Sequence, residues 1–281
     1  MANGPGTVRL VVLNHDGGPL LGRCLDALQA LDWPSDELEL VVVDNASTDG
    51  SPEAVEAAFP GVRLIRTGSN TGFPANNEAL RDLTGIRFVG LVNNDAFVEP
   101  GWLRAMVGAL EADPALGAAT GKLVFAPRFV DLVVETPTSR PGLRDHRDLG
   151  VRVSGLRVDG TERWRSTQVV GGWGPEPVGA DGATATWTSG RSTVRVPLDG
   201  PGDRFAGRVA IRLDAPAART AHLDGGAGPV EVEVGPDASW VELDVAGTTY
   251  DVVNNAGGVV FTDGYGADRG FLDPDDGRWD E

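Results

Sequence analysis

The 281-residue chain contains one cysteine, three histidines and a single lysine, Lys122. One cysteine excludes an intrachain disulfide and any Cys-rich zinc site. Cys24 falls on the apolar face of a predicted helix, where a core role is favoured. His15, His146 and His222 are scattered and no G-x-S-x-G elbow accompanies them, which argues against a hydrolase triad. No G-x-G-x-x-G follows the first apolar run and no Walker motif occurs, disfavouring a dinucleotide oxidoreductase or an NTPase. There is no apolar run near the ~20 residues a membrane span needs and no signal peptide, so the expected compartment is the cytoplasm. Basic residues are few: 24 Lys and Arg against 41 Asp and Glu give 24 − 41 = −17. That balance argues against nucleic acid and anionic membrane as partners, because both need basic patches.

What is present is a regular alternation over the first 125 residues. Thr7–Leu13 (TVRLVVL) reads as a strand, followed by the turn Asn14-His15-Asp16-Gly17-Gly18. Leu20, Leu21, Cys24, Leu25, Leu28 and Leu31 then repeat at helical spacing, up to Trp33-Pro34. Leu38–Val43 is a near-continuous apolar strand running into Asp44-Asn45-Ala46-Ser47-Thr48-Asp49-Gly50, with Ser51 as the expected helix N-cap before Pro52. Val62–Arg66 is a third strand, and NTGFPANN (Asn70–Asn77) turns into another expected helix. Phe88–Val92 reads as a buried strand that stops at Asn93, Asn94 and Asp95, followed by a helix from Pro100 to Glu111 and a fifth strand over Gly117–Phe125. This is the pattern of an α/β fold with a mostly parallel sheet. Ligands bind at the carboxyl ends of such strands, so the polar stretches 14–18, 44–50, 70–77 and 93–95 should gather along one edge. A lone Asp at a strand end is most often a loop cap; Asp95 gains meaning only from those neighbours.

From about Pro127 the texture changes. Short alternating segments such as Gly150–Val158, Ser192–Val196, Arg208–Leu213, Val230–Val234 and Trp240–Val245 are separated by Gly, Pro and Asp. They predict an antiparallel β-sandwich or jelly roll. Trp164, Trp173, Trp187 and Trp240 lie in this block; core packing is the favoured reading, with a glycan platform as the alternative.

Together VVLNHDGG, VVVDNASTDGS, NTGFPANN and LVNNDAFVEPGWL resemble the family 2 glycosyltransferases of GT-A fold, in particular the rhamnosyltransferase-like and galactofuranosyltransferase-like members. The resemblance covers 7–126 and resumes at 252–281. It implies a GT-A, Rossmann-like domain begun over 1–127, an inserted β-sandwich over 128–251, and a return to the GT-A domain over 252–281 that stops before the family's usual acidic motif. It further implies a nucleotide-sugar donor, dTDP- or UDP-linked, with Asp44 accepting from the pyrimidine ring N–H. Asn14, Asn45, Ser47, Asn70, Gly72, Asn77, Asn93 and Asn94 would line the rest of the donor site. Asn93-Asn94-Asp95 matches the family's D-x-D, with Asn at its first position. Asp95 would hold Mg2+ or Mn2+, for which one carboxylate suffices when phosphates and waters complete the shell.

The family inverts the anomeric centre with a carboxylate base that normally lies beyond residue 281. The late carboxylates Asp275, Asp276, Asp280 and Glu281 match the segment before that base, so a solvated acidic loop is the favoured reading of them. The expected partners are the donor and a glycan or lipid-linked glycan acceptor, in bacterial cell-surface polysaccharide synthesis, in the cytoplasm or peripherally at the inner face of the membrane. The alternative is a non-catalytic glycan-binding protein on a disabled transferase scaffold, its sandwich doing the recognition.

Overall fold

The computed structural model describes residues 7–142, 144–178, 183–260 and 266–280. The chain divides into two compact units, Met1–Gly121 and Lys122–Glu281.

The first unit runs β1 (Thr7–Asn14), α1 (Gly18–Gln29), β2 (Leu38–Asp44), α2 (Ser51–Ala58), β3 (Arg63–Arg66), a 3₁₀ segment (Phe73–Leu80), β4 (Ile86–Asn93) and α3 (Trp102–Ala112). All strand pairs are parallel, in the order β3-β2-β1-β4. The apolar runs of β1 and β2 are buried on both faces, as a parallel sheet requires. Leu10, Val12 and Val42 pack with Leu21, Leu25 and Leu28 of α1. On the other face Val11, Val41 and Val43 meet Ala75 and Ala79 of the 3₁₀ segment. Arg9, almost fully buried, pins that segment beneath the sheet. It pairs through Nε with Glu39 at 2.8 Å and donates to the carbonyls of Ala79 and Asp82 at 2.7 and 2.6 Å. The register sets Asn14 opposite Asp44, and Leu13 opposite Asn93. The polar loops after β1, β2 and β4 therefore begin at one level. The strand order reverses between β1 and β4, which makes their exit loops the switch point of the sheet.

Three expectations need correction. Phe88–Val92 is not buried throughout: exposure alternates along β4, with Val89 at 38% and Leu91 at 54%. As the outer strand of this sheet, β4 has only one face, that of Phe88 and Val92, packed on the helical side. The segment after Gly72 is 3₁₀ rather than α-helical. The fifth strand does not join the parallel sheet. Only Leu123–Val124 is extended, and it pairs antiparallel with Val253–Asn255. The preceding Gly-Ala-Ala-Thr-Gly has little to hold a strand.

The second unit comprises β5 (Leu123–Val124), β6 (Arg128–Glu135), β7 (Arg152–Val158), β8 (Thr161–Glu162), β9 (Gln168–Pro177), β10 (Thr184–Leu198), β11 (Arg204–Asp214), β12 (Arg219–Asp224), β13 (Val230–Val234), β14 (Ser239–Thr248) and β15 (Val253–Asn255), followed by shorter pieces. A continuous antiparallel network runs β13-β12-β6-β10-β7-β11-β14, with β8 on β7 and β9 on β10. The long β10 pairs with β7 at Thr186–Trp187 and with β6 over Arg191–Leu198, so it passes from one layer to the other. Between the layers lies one core that includes Leu132, Val134, Val194, Val196, Val209, Ile211 and Leu213. This is the expected antiparallel sandwich. Trp187 is 9% exposed and Trp164 packs against the core, whereas Trp173 and Trp240 are 42% and 37% exposed. Asp275 and Asp280 pair with Lys122, and Asp276 with Arg278. Glu281 lies outside the described residues.

Candidate active site

Asn14, the last residue of β1, is fully buried, and both ends of its amide are engaged. Nδ2 faces Asp44 Oδ1 at 3.4 Å and donates to the hydroxyls of Ser47 and Ser51 at 3.0 and 2.9 Å. Oδ1 accepts from the Gly17 N–H at 3.2 Å and from Asn94 Nδ2 at 3.1 Å. One side chain thus ties the β2 exit loop to the β4 exit loop across the switch point. Gly17 is the residue this arrangement cannot replace. A Cβ there would meet Asn94 Nδ2 at 2.5 Å and collide with Asn14 Oδ1.

Asp44 is nearly buried. Its Oδ1 also accepts from the Ser47 N–H at 3.3 Å, while among the described residues its other oxygen has no partner. Asn45 is 1% exposed and acts as a clamp on the next loop. It donates to Asn70 Oδ1 at 2.8 Å and to the Gly72 carbonyl at 3.3 Å, and it accepts from the Thr71 N–H at 3.1 Å and the Thr67 hydroxyl at 3.2 Å. Gly72 has φ 69° and ψ −153°, a conformation open essentially to glycine alone. The turn it allows leaves Phe73 68% exposed. Asn77 is exposed, and it is its neighbour Asn76 that bonds the loop, donating to the Phe73 carbonyl at 3.0 Å. Asn14 and Asn45, read from the sequence as donor contacts, have their bonding capacity taken up by protein, so the structure makes them positioning residues.

The turn after β4 is built differently. Asn93 and Asp95 are exposed and Asn94 is half-buried. Because Asn94 Nδ2 is spent on Asn14, its amide carbonyl is oriented away and, among the described residues, accepts nothing. The Asp95 carboxylate likewise has no hydrogen-bonded partner among the described residues. Two hard oxygens on one short turn fit a hard divalent cation, which takes oxygen ligands and keeps several waters or phosphate oxygens. No cluster of three His, Cys, Asp or Glu side chains that could hold a metal occurs among the described residues, so any such site is an open one. Behind the turn, Cys24 Sγ donates to the Asn93 carbonyl at 3.5 Å. Burial, reinforced by the charge of Asp95, pushes this thiol from 9.0 up to about 11.

Asp49 and Asp16 are given no role by the sequence, and Ser51 is given a different one. Asp49 Oδ1 accepts from the Ser51 hydroxyl and N–H at 2.6 and 3.0 Å, and Oδ2 accepts from the Gly18 N–H at 2.7 Å. One carboxylate therefore sits at the first residues of both α1 and α2, where helix dipoles favour negative charge. The Ser51 hydroxyl, helped by the two backbone N–H groups, holds Asp49 below the usual carboxylate range. Ser51 is the first residue of α2 and not its cap. Asp16 accepts from the Thr48 N–H at 2.6 Å while its own N–H donates to Ser47 at 3.0 Å. The D-G-S-P run at the start of α2, Asp49–Pro52, carries the sequence sign of Asp49's role; the cross-loop bonds carry none.

Residues 9–129 match the family model described as Glycosyl transferase family 2. This segment is similar to the family 2 glycosyltransferases. All the candidate donor-site residues named above fall inside it. The N-acetylglucosaminyl-diphospho-decaprenol L-rhamnosyltransferase of Mycobacterium tuberculosis is 32% identical over 130 residues, covering 42% of this chain and 41% of its own. The beta-monoglucosyldiacylglycerol synthase of Synechocystis sp. is 26% identical over 185 residues, 62% of this chain and 38% of its own. The chain thus spans about two fifths of the length of these relatives. Among solved structures, the mannosyltransferase PcManGT from Pyrobaculum calidifontis in complex with GDP-Man and Mn2+ shares 35% identity, with TM-score 0.37, over 42% of this chain and 36% of that one. TarS 1–349 of S. aureus in complex with UDP shares 20% identity, with TM-score 0.36, over 50% and 43%. No helix among the described residues is long and apolar enough to cross a membrane.

Proposed function

We propose that the family 2 domain binds a pyrimidine nucleotide-sugar, dTDP- or UDP-linked, and transfers its sugar with inversion to a glycan or lipid-linked glycan in bacterial cell-surface polysaccharide synthesis. The observation that carries this reading is Asn14, which joins the Asp44 loop to the Asn94–Asp95 turn and so makes one prepared crevice at the switch point. In it the unpartnered oxygen of Asp44 accepts from the pyrimidine N–H, a charge-assisted bond of about 1.5–3 kcal/mol. The 70–77 loop, clamped by Asn45, flanks the nucleoside, and the Gly72 turn presents Phe73 there. Asp95 and the Asn94 carbonyl would hold Mg2+ or Mn2+, which when bound supplies Lewis-acid neutralisation of the departing diphosphate. The sandwich, 128–251, is read as an insertion: the residues after it return, through β15, to β5, which directly precedes it.

Calorimetry with UDP, dTDP and GDP, each with and without Mn2+, tests the reading. Metal-dependent binding of a pyrimidine nucleotide that is lost in Asp44→Ala and loses its metal dependence in Asp95→Ala is expected. Absence of nucleotide binding, or binding indifferent to both substitutions, overturns it.

A further inference from the structure

A row of side chains crosses four strands of the sandwich in register. Trp173 on β9 is opposite Trp187 on β10, Trp187 is opposite Arg152 on β7, and Arg152 is opposite Asp214 on β11. Directly opposed residues share a face. Val153 and Leu213, the sequence neighbours of Arg152 and Asp214, point into the core, so by strand alternation the row lies on the outer face. Its far end is closed: Asp214 is 4% exposed and holds Arg152 through contacts of 2.6 to 3.1 Å. Arg152 stands 5.6 Å over the Trp187 ring. Trp187 is itself locked, its Nε1 donating to Glu176 Oε2 at 3.0 Å, and Glu176 is held in turn by Arg147.

The row opens at Trp173. This indole is 42% exposed on a strand whose neighbouring tryptophan is covered, and among the described residues its Nε1 donates to nothing. An indole face left to solvent beside a rigid polar rim is a poor way to build a core and a good way to build a binding surface. The rim's two guanidiniums are both spent, Arg152 on Asp214 and Arg147 on Glu176 and Asp145. No surplus positive charge remains to attract a phosphate or a uronate. What the surface offers is one flat apolar plate, one free indole N–H and oriented carboxylate and guanidinium edges. That set matches the C–H face and the equatorial hydroxyls of an uncharged sugar ring.

We propose that this outer face is a carbohydrate-binding site for neutral pyranose glycans, with Trp173 as the stacking plate and Glu176 and Arg152 at its polar rim. The site belongs wholly to the second unit and shares no residue with the candidate donor site of the first.

The test is native affinity electrophoresis of the full chain in gels containing dextran, laminarin, mannan or galactan, with alginate as the acidic comparator. At least one neutral polysaccharide is expected to retard the chain. In Trp173→Ala the apparent Kd for that polysaccharide should rise at least tenfold, with the thermal midpoint unchanged. Trp173→Leu, which keeps apolar bulk but removes the ring face and the N–H, should lose retardation as well, and it serves if the alanine variant folds poorly. The proposal fails if no neutral polysaccharide retards the chain, if alginate alone does, or if the folded Leu variant is retarded as strongly as the parent.

Discussion

Asn94 Nδ2 lies 3.1 Å from Asn14 Oδ1, and through that bond the β4 turn is held to the same side chain that faces Asp44. Cutting it should uncouple the two ends of the candidate donor crevice. In Asn14→Ala the Ser47 and Ser51 hydroxyls, the Gly17 N–H and the Asn94 amide all lose a partner at a buried point. An unsatisfied buried polar group costs about 1–3 kcal/mol. A loss of at least that size in urea denaturation is expected, with nucleotide binding weakened more than tenfold in whatever fraction remains folded. Stability within experimental error of the parent would mean that Asn14 does not hold the loops.

Gly17 and Gly22 make a matched pair of tests. Both have negative φ, so neither needs glycine for its backbone angle. At Gly17 a methyl collides with Asn14 and Asn94, while at Gly22, inside α1, it meets nothing within 4 Å. Gly17→Ala should lower the thermal midpoint and abolish nucleotide binding. Gly22→Ala should raise stability by up to about 1 kcal/mol, the helix preference of alanine over glycine. Equal effects from the two would show that the Gly17 contact is relieved by easy movement of the loop.

These two residues also mark how far the sequence was legible. The alternation of apolar runs and helical repeats announced a parallel sheet, and polar loops after each strand placed Asp44 and Asp95 at one edge, because strand direction and strand ends are local properties. Which loop residues face ligand and which face one another is not local. Asn14 and Asn45 look like donor contacts in sequence, but apart from Gly17 their partners lie 22 to 80 residues away. The exposed face of β4 was hidden for a similar reason. Phe88–Val92 reads as apolar throughout, and only its place at the outside of the sheet leaves Val89 and Leu91 in solvent. In the second half, alternation predicted the sandwich, yet it could not tell covered Trp187 from open Trp173, since both sit on one face and differ only in what lies over them.

Asp49 should make the first unit acid-sensitive. Its carboxylate is held below the ordinary range by the Ser51 hydroxyl and by N–H groups at the starts of α1 and α2. A depressed folded-state value means the stabilisation is complete above the unfolded carboxylate pKa of about 4. It is lost as pH falls through the lower folded value. In Asp49→Asn the charge is gone at every pH, so the parent and variant curves of stability against pH should be separated at neutrality and converge below about pH 4. The expected gap is modest, about 0.3–1 kcal/mol for each helix end at an exposed position. Parallel curves, with no convergence in acid, would remove Asp49 from this role.

Cys24 predicts the opposite pH behaviour. Its thiol is fully buried, donates to the Asn93 carbonyl and is pushed up to about 11. A raised folded-state value favours the folded protein below the unfolded thiol pKa of about 8.5, and that contribution drains away as pH rises toward the folded value. Alkylation by iodoacetamide in the native state should therefore be slow at pH 8 and accelerate only on denaturation, since the thiolate is the nucleophile. Stability should fall between about pH 8.5 and 11, and Cys24→Ala should flatten that part of the curve. The same variant frees the Asn93 carbonyl behind the Asp95 turn, so metal-dependent nucleotide binding should weaken in it even at pH 7. Rapid alkylation of the folded chain at pH 8 would show that the thiol is neither buried nor engaged with the turn.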